Sequence, residues 1–104
     1  MIEQRYDENR STQKVARTGR RHLKALGATS LYLFGSTARN KATAKSDLDL
    51  FVDYDPRGRF NVLDLVAAKR MLEENLGVPV DLTTRKGLHP LLRKQIEAEA
   101  TRVF

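Results

Sequence analysis

The chain has 104 residues, a length that fits one domain and leaves no room for two. Its 40% hydrophobic and 31% charged residues are typical of a globular protein, and its apolar runs are far too short to cross a bilayer. The absence of cysteine excludes disulfides and thiolate chemistry. A net charge of +6 favours an anionic partner, although a solvated basic surface explains the lysines and arginines equally well.

The chain is predicted to begin with a polar arm and a basic helix. Residues 1–10 carry no hydrophobic periodicity and are expected to form an N-terminal arm, which leaves a single domain over residues 11–104. The residues after Met1 are charged and polar, unlike a signal peptide, so a cytoplasmic location is expected. From about Ser11 the apolar residues return at helical spacing, and Gly27 marks the end of this helix.

Two strands with a short helix between them are predicted next. Residues 31–34 are bulky strand formers, and Gly35 ends them in a tight turn. A short helix is expected to begin at Thr37, followed by a polar loop over residues 40–45. In residues 46–53 apolar side chains alternate with carboxylates, which is the pattern of a second strand.

The next elements are a second long helix and a third strand. Asn61 with Asp64 three residues later is a capping pattern for the helix, and Gly77 ends it. Residues 78–82 are predicted to form the strand. Pro79 indicates that this strand lies at an edge of the sheet or begins irregularly.

The chain is predicted to close with a helix through Leu91, Leu92 and Ile96, and with a last strand at Val103 and Phe104. Helices and strands thus follow one another along the sequence. This order indicates an α/β fold in which helices flank a small mixed β-sheet.

Two aspartates on the second strand are candidate metal ligands. Asp47 and Asp49 are two positions apart, so they point to one face with backbones about 7 Å apart. Their carboxylates can bracket a pair of ions of the kind used in phosphoryl transfer, and Mg²⁺ prefers such oxygen ligands. Taken alone, an Asp-x-Asp pair is more often structural than functional.

The turn before these aspartates is a candidate phosphate site. Gly35 lets a phosphate approach the backbone, Ser36 can donate its hydroxyl, and a strand-to-helix turn offers free N–H groups. Arg39 can steady a triphosphate or pair with a nearby carboxylate, and both interpretations stay open. A glycine and a serine alone are common in turns.

Taken together, these motifs resemble those of a known family. Gly35-Ser36, ten further residues, and then Asp47-Leu48-Asp49 resemble the signature of DNA polymerase β-like nucleotidyltransferases, and in particular of their minimal branch, the MNT proteins. The resemblance covers nearly the whole chain. It implies the palm fold of that superfamily, nucleotide binding at Gly35 and Ser36, and metal binding at Asp47 and Asp49.

The resemblance also implies a third carboxylate on a neighbouring strand, for which Asp81 is the candidate. It lies between apolar Val80 and Leu82, as suits a residue that points out of a strand. The alternative for Asp81 is a strand-end or capping aspartate.

Other residues that could belong to a site are set aside. Asp53 lies about 13 Å along the strand from Asp49, beyond reach of the same ions. Asp55 precedes a proline and is predicted to be a turn residue. His22 and His89 have no partner at metal-ligand spacing, and the chain has no P-loop motif.

The resemblance implies a specific activity. MNT proteins resembling this chain act as antitoxins, using ATP and two Mg²⁺ ions to add AMP to a tyrosine hydroxyl of a HEPN-domain RNase toxin. A toxin partner, hetero-oligomerisation with it, and ATP as substrate are therefore expected. Two alternatives are an antitoxin that acts by binding alone, and nucleotidyl transfer to a small molecule or RNA. Nucleic acid is the less favoured acceptor.

Overall fold

A computed structural model describes residues 8–35 and 48–104, and the side chains from residue 12 onward within the first helix. These ranges contain three α-helices and four strands. The helices are α1 (Glu8–Leu26), α2 (Val62–Leu76) and α3 (Arg93–Glu99), and the strands are β1 (Ala28–Phe34), β2 (Leu48–Tyr54), β3 (Val80–Thr84) and β4 (Thr101–Arg102). A short 3-10 helix at Arg85–Gly87 follows β3. The predicted helix at Thr37 lies outside the described residues.

The four strands form one mixed sheet in the order β3-β2-β1-β4. β1 is antiparallel to both β2 and β4, while β3 is parallel to β2. The parallel pair is joined by α2, as a crossover between parallel strands requires. The α/β fold with a small mixed sheet is thereby confirmed, and β3 lies at an edge as Pro79 indicated.

One face of the sheet is buried under α1 and α2. Both helices contribute apolar side chains that pack on alternate residues of the strands, and the fully buried members of this core include Val15, Leu23, Leu31, Leu33, Leu50, Val52, Ala68 and Leu72. Because side chains alternate along a strand, the residues between them point to the opposite face. That opposite face carries the candidate site.

The ends of α2 match the sequence prediction closely. The Asn61 side chain accepts a hydrogen bond from the Asp64 backbone N–H, and the Asp64 carboxylate accepts one from the Asn61 N–H, which completes a capping box. At the other end Gly77 adopts φ 73°, a left-handed conformation that glycine reaches without strain. Local chemistry therefore fixes both ends of this helix.

Several boundaries differ from the prediction, since β1 begins at Ala28 instead of residue 31 and β3 covers Val80–Thr84 instead of residues 78–82. α1 begins at Glu8, α3 is confined to Arg93–Glu99, and β4 occupies Thr101–Arg102 instead of the last two residues. Those two residues still bond to β1, because Val103 N–H donates to the Leu31 carbonyl over 2.7 Å. No described helix is long and apolar enough to cross a membrane.

Candidate active site

Two acidic side chains lie next to each other on the exposed face of the sheet. Asp49 of β2 is the register partner of Asp81 of β3 in the parallel ladder. Register partners on neighbouring strands are about 4.8 Å apart and point to the same face. Asp49 is half-buried and Asp81 is exposed. Like charges in this position repel each other, so the pair is stabilised when a cation lies between them.

Gly35 lies directly against the Asp49 carboxylate of this acidic pair. Its neighbour Phe34 is the β1 register partner of Asp49, which brings the turn after β1 against the Asp49 carboxylate. A Cβ at Gly35 would fall on Asp49 Oδ2 and lie 3.2 Å from Asp49 Cγ. The residue also adopts φ 77°, which other L-residues rarely do. Both the space and the backbone conformation therefore require glycine here.

The structure thus brings together the described members of the predicted site, Gly35, Asp49 and Asp81. The other predicted site residues, Ser36, Arg39 and Asp47, lie outside the described residues. Within residues 8–35 and 48–104 no group of three potential metal-ligating side chains converges. The carboxylates of the register partners Asp49 and Asp81 offer only oxygen ligands, which suit a hard cation such as Mg²⁺, and a third carboxylate is needed for a two-metal site.

At the far end of the same sheet face, Arg85 holds a second pair of carboxylates. Its guanidinium donates two hydrogen bonds to Asp53, each of 2.8 Å, and one to Glu97 of 2.9 Å. It also lies over the rings of Tyr32 and Phe51, 5.1 and 4.9 Å from their centroids. These contacts join β1, β2 and α3 to the 3-10 helix that follows β3.

The positive charge of Arg85 and the negative charges of Asp53 and Glu97 stabilise one another. The hydrogen bonds that Arg85 donates to Asp53, and then to Glu97, raise its pKa. The hydrogen bond from Arg85 is the main cause that lowers the pKa of Glu97. Asp53 is therefore a structural ion-pair partner, in agreement with its exclusion from the metal site.

The other residues set aside by the sequence are also accounted for. Asp55 accepts a hydrogen bond of 2.9 Å from the Arg57 N–H, which is the turn role predicted for it. The His89 ring nitrogen Nδ1 accepts one from the Leu91 N–H. His22 is an exposed residue of α1.

Glu73 is a supporting residue that the sequence pattern did not indicate. Its carboxylate accepts a hydrogen bond of 2.9 Å from the Val80 N–H, next to Asp81, and one of 3.3 Å from the Lys69 ammonium. The bond from Val80 is the first cause of its lowered pKa, followed by the bond from Lys69. Glu73 thereby fixes the start of β3. A helix glutamate that also pairs with a lysine four residues earlier looks like an ordinary surface pair, so no local signal reveals this contact.

Comparison with known proteins identifies the family. The sequence model of the nucleotidyltransferase domain matches residues 16–103, and the chain belongs to that family. The protein is therefore a nucleotidyltransferase. MJ0435 of Methanocaldococcus jannaschii, provisionally named a protein adenylyltransferase, is 43% identical over 78 residues, which cover 75% of this chain and 82% of that protein. MJ1379 of the same organism, named likewise, is 38% identical over 71 residues, or 67% and 71% of the two chains.

Solved structures agree with this assignment. A structure provisionally described as a minimal nucleotidyltransferase superposes with a TM-score of 0.74 at 33% identity, covering 95% of this chain and 98% of the other. A toxin–antitoxin structure with AMP-PNP gives 0.71 at 19% identity, covering 89% and 72%. An MntA–HepT toxin–antitoxin structure gives 0.62 at 18% identity, covering 89% and 68%. At such low identity the last two establish a shared fold.

Proposed function

We propose that this nucleotidyltransferase transfers AMP from ATP to a tyrosine hydroxyl of a HEPN-domain RNase toxin and so acts as its antitoxin. The observation that carries the proposal is the pairing of Asp49 with Asp81 against the glycine turn at Gly35. Two further findings support it. The similar proteins of Methanocaldococcus jannaschii are named as protein adenylyltransferases, and folds shared with this chain occur in MntA–HepT complexes.

We assign the binding of two Mg²⁺ ions to Asp47, Asp49 and Asp81. Mg²⁺ held by these carboxylates would neutralise charge on the triphosphate and lower the pKa of the attacking hydroxyl. The donor set fits this role, since Asp49 and Asp81 present oxygen atoms side by side and Asp47 precedes Asp49 by two residues. Glu73 supports the site indirectly because it holds the Val80 N–H beside Asp81.

The remaining residues bind and orient the nucleotide. Gly35 and Ser36 are assigned to the triphosphate, where backbone N–H groups and a hydroxyl can donate to phosphate oxygens. Arg39 is assigned to the same phosphates, with pairing to a carboxylate as its alternative role. Gly35 also leaves the Asp49 carboxylate in place, because it has no Cβ to displace that side chain.

The transfer itself is an in-line displacement at the α-phosphate. The tyrosine oxygen forms a bond to the α-phosphorus, the bond to the bridging oxygen breaks, and pyrophosphate leaves. The tyrosine proton passes to a base at the acceptor side, where Asp81 is the assigned residue. Asp81 is exposed, so an acceptor carried on a partner's surface can reach it.

MNT proteins resembling this chain are typically encoded beside their HEPN-domain partner, so the test uses the full-length protein, Mg²⁺, labelled ATP and the product of the neighbouring gene. We expect label on the partner with the native protein and none with Asp49→Asn. The matched control is Asp55→Asn, which removes another carboxylate from the same region but keeps a side chain able to accept the Arg57 turn hydrogen bond. The control should transfer label at the native rate.

The alternative activities give different results in the same experiment. If a stable complex with the partner forms but no nucleoside triphosphate yields label, the chain acts by binding alone. If label appears on RNA or on a small molecule and not on the partner protein, the acceptor assignment fails while the nucleotidyltransferase site stands. Replacing the candidate tyrosine of the partner by phenylalanine should abolish labelling.

A further inference from the structure

The outer face of α1 carries a dense row of cations. Over the described part of this helix, five basic side chains are exposed, namely Lys14, Arg17, Arg20, Arg21 and Lys24. At 3.6 residues per turn they fall within an arc of about 120° on the helix surface. The buried residues Val15 and Leu23 lie on the opposite side of the helix and join the core. The cations therefore point directly away from the sheet.

These charges are not neutralised by the described parts of the protein. The ion pairs found within residues 8–35 and 48–104 involve cations of α2, α3 and the segment after β3, and none of α1. Lys24 contacts the ring of Phe104 at 5.5 Å, which leaves its charge in place. Arg17, Arg20, Arg21 and Lys24 also line a shallow, open depression together with Ala16. Such concentrated positive charge requires an anionic partner or a screening solvent.

The composition of this face distinguishes between classes of anionic partner. Besides the cations, the exposed residues from position 12 to the end of α1 are Gln13, His22 and Ala25. A protein interface normally has an apolar or aromatic centre, and a membrane-binding helix inserts an apolar face, which α1 has already buried in the core. A single-stranded nucleic acid is usually held by exposed aromatic rings on which its bases stack. From position 12 onward, the exposed face of α1 has no apolar centre and no aromatic ring. Its evenly distributed cations are instead suited to a regular array of phosphates.

The length of the row of cations matches the distance between phosphates across the major groove of a DNA double helix. At 1.5 Å rise per residue, Lys14 and Lys24 are about 15 Å apart along the helix axis. The major groove of B-form DNA is about 12 Å wide, so one helix with this spacing can reach phosphates on both sides of the groove. Backbone contacts of this kind do not depend on base sequence.

We propose that the α1 cations bind the phosphate backbone of double-stranded DNA without sequence preference. This binding is separate from nucleotidyl transfer, since Asp49 and Asp81 lie on the opposite face of the sheet. A bound duplex is consequently not the acceptor of the transferred nucleotide. DNA binding adds a second, independent interaction to the protein.

The test measures binding of a fluorescent 20-base-pair DNA duplex to the full-length protein over a range of salt concentrations. With four to five phosphate contacts, log K should fall with log salt with a slope of about −4. The variant Arg17→Gln/Arg20→Gln/Arg21→Gln should lower the magnitude of the slope by about 3. Glutamine keeps the helix stable, and far-ultraviolet circular dichroism should verify that the variant is folded.

The matched control removes the same charge elsewhere. Arg59, Lys86 and Lys94 are exposed and lie outside α1, so Arg59→Gln/Lys86→Gln/Lys94→Gln should change the slope by less than about 1. Both triple variants should keep the native rate of nucleotidyl transfer. An equal decrease in the magnitude of the salt slope in the two variants would mean that DNA binding depends only on the net charge of the protein. That outcome would overturn the proposal.

Three further outcomes would also overturn it. The first is no duplex binding at low salt. The second is tighter binding to an RNA duplex or a single strand than to B-form DNA, since the deep, narrow major groove of A-form RNA does not fit the spacing. The third is binding to phosphatidylserine vesicles, lost in the α1 variant, in the absence of any binding to DNA.

Discussion

Asp49 and Asp53 lie on the same strand and point to the same face of the sheet, but the segment formed by β3 and the short 3-10 helix after it offers them opposite neighbours. Asp49 stands beside another carboxylate, Asp81, whereas Asp53 accepts two hydrogen bonds from Arg85. An acid beside a base is stabilised by it, whereas two neighbouring carboxylates repel each other and favour a bound cation. Pairs of like charge are typical of functional sites, and the Asp49 end of β2 has such a pair.

The two ends also differ in what surrounds the carboxylates. Arg85 is stacked over two aromatic rings and fixes α3 to the sheet through Glu97, so this end is tied into the fold. At the other end Asp81 is exposed and Asp49 faces a glycine that leaves room for its carboxylate. The contacts around Asp53 and Arg85 therefore make that end of the sheet face rigid, whereas the end at Asp49 and Asp81 is accessible to ligands.

The largest expected effect is that of Asp49→Asn on catalysis. We expect nucleotidyl transfer to fall about 10³-fold, equivalent to about 4 kcal/mol, because a metal ligand is lost. The free energy of unfolding without metal should change by less than about 1 kcal/mol, because asparagine keeps the size of the aspartate side chain and one acceptor oxygen. Transfer assays and urea unfolding measure the two quantities. A clear loss of stability would contradict the contrast drawn between the two ends.

Gly35→Ala should have the next largest effect. The new Cβ would fall on the Asp49 carboxylate, and the positive φ would be strained by about 1 kcal/mol or more. We expect transfer to fall about 10²-fold, since displaced ligands lose their geometry. Gly77→Ala is the matched control: it has a similar φ and no atom within 4 Å of the added Cβ, so only stability should decrease. Equal activity in the two variants would exclude the close contact as a cause.

Arg85→Met should affect stability rather than chemistry. It leaves Asp53 and Glu97 without their shared partner, and we expect the free energy of unfolding to fall by about 2 kcal/mol, between the values typical of exposed and buried pairs. Activity per folded molecule should change by less than about 3-fold. The control Arg93→Met removes a weaker, 3.4 Å contact to Glu97 and should cost less than about 0.5 kcal/mol. Urea unfolding of both variants measures the difference.

The smallest effect concerns pH. The pKa values of Glu73 and Glu97 are lowered in the folded protein, so the unfolded chain binds more protons in acid. Their contribution to stability is complete above the ordinary glutamate pKa of about 4.3 and is lost as pH falls through the lower folded values. Urea midpoints should therefore be constant near neutrality and fall in acid. Arg85→Met should weaken this acid dependence. An unchanged dependence would contradict the role of Arg85 at Glu97.

Local sequence determined the helices, the strands and the candidate ligands. The capping box at Asn61, the left-handed Gly77 and the alternation of residues 48–52 depend on neighbours within a few positions, so they could be predicted from the chain alone. The boundaries of α3 and β4 were less accurate. β4 is set by pairing with β1 rather than by its own sequence, and its two residues carry too little pattern to indicate where it begins.

The tertiary structure decided which charges meet. Asp81 and Arg85 are four residues apart on one segment, and nothing local to them indicates that the first will lie beside Asp49 and the second beside Asp53. That outcome depends on the register of the parallel β2–β3 pair, which is set by the packing of apolar side chains against α1 and α2. The same long-range packing places Glu73 at the start of β3. The sequence thus specified the chemical groups, and the register of two strands specified their partners.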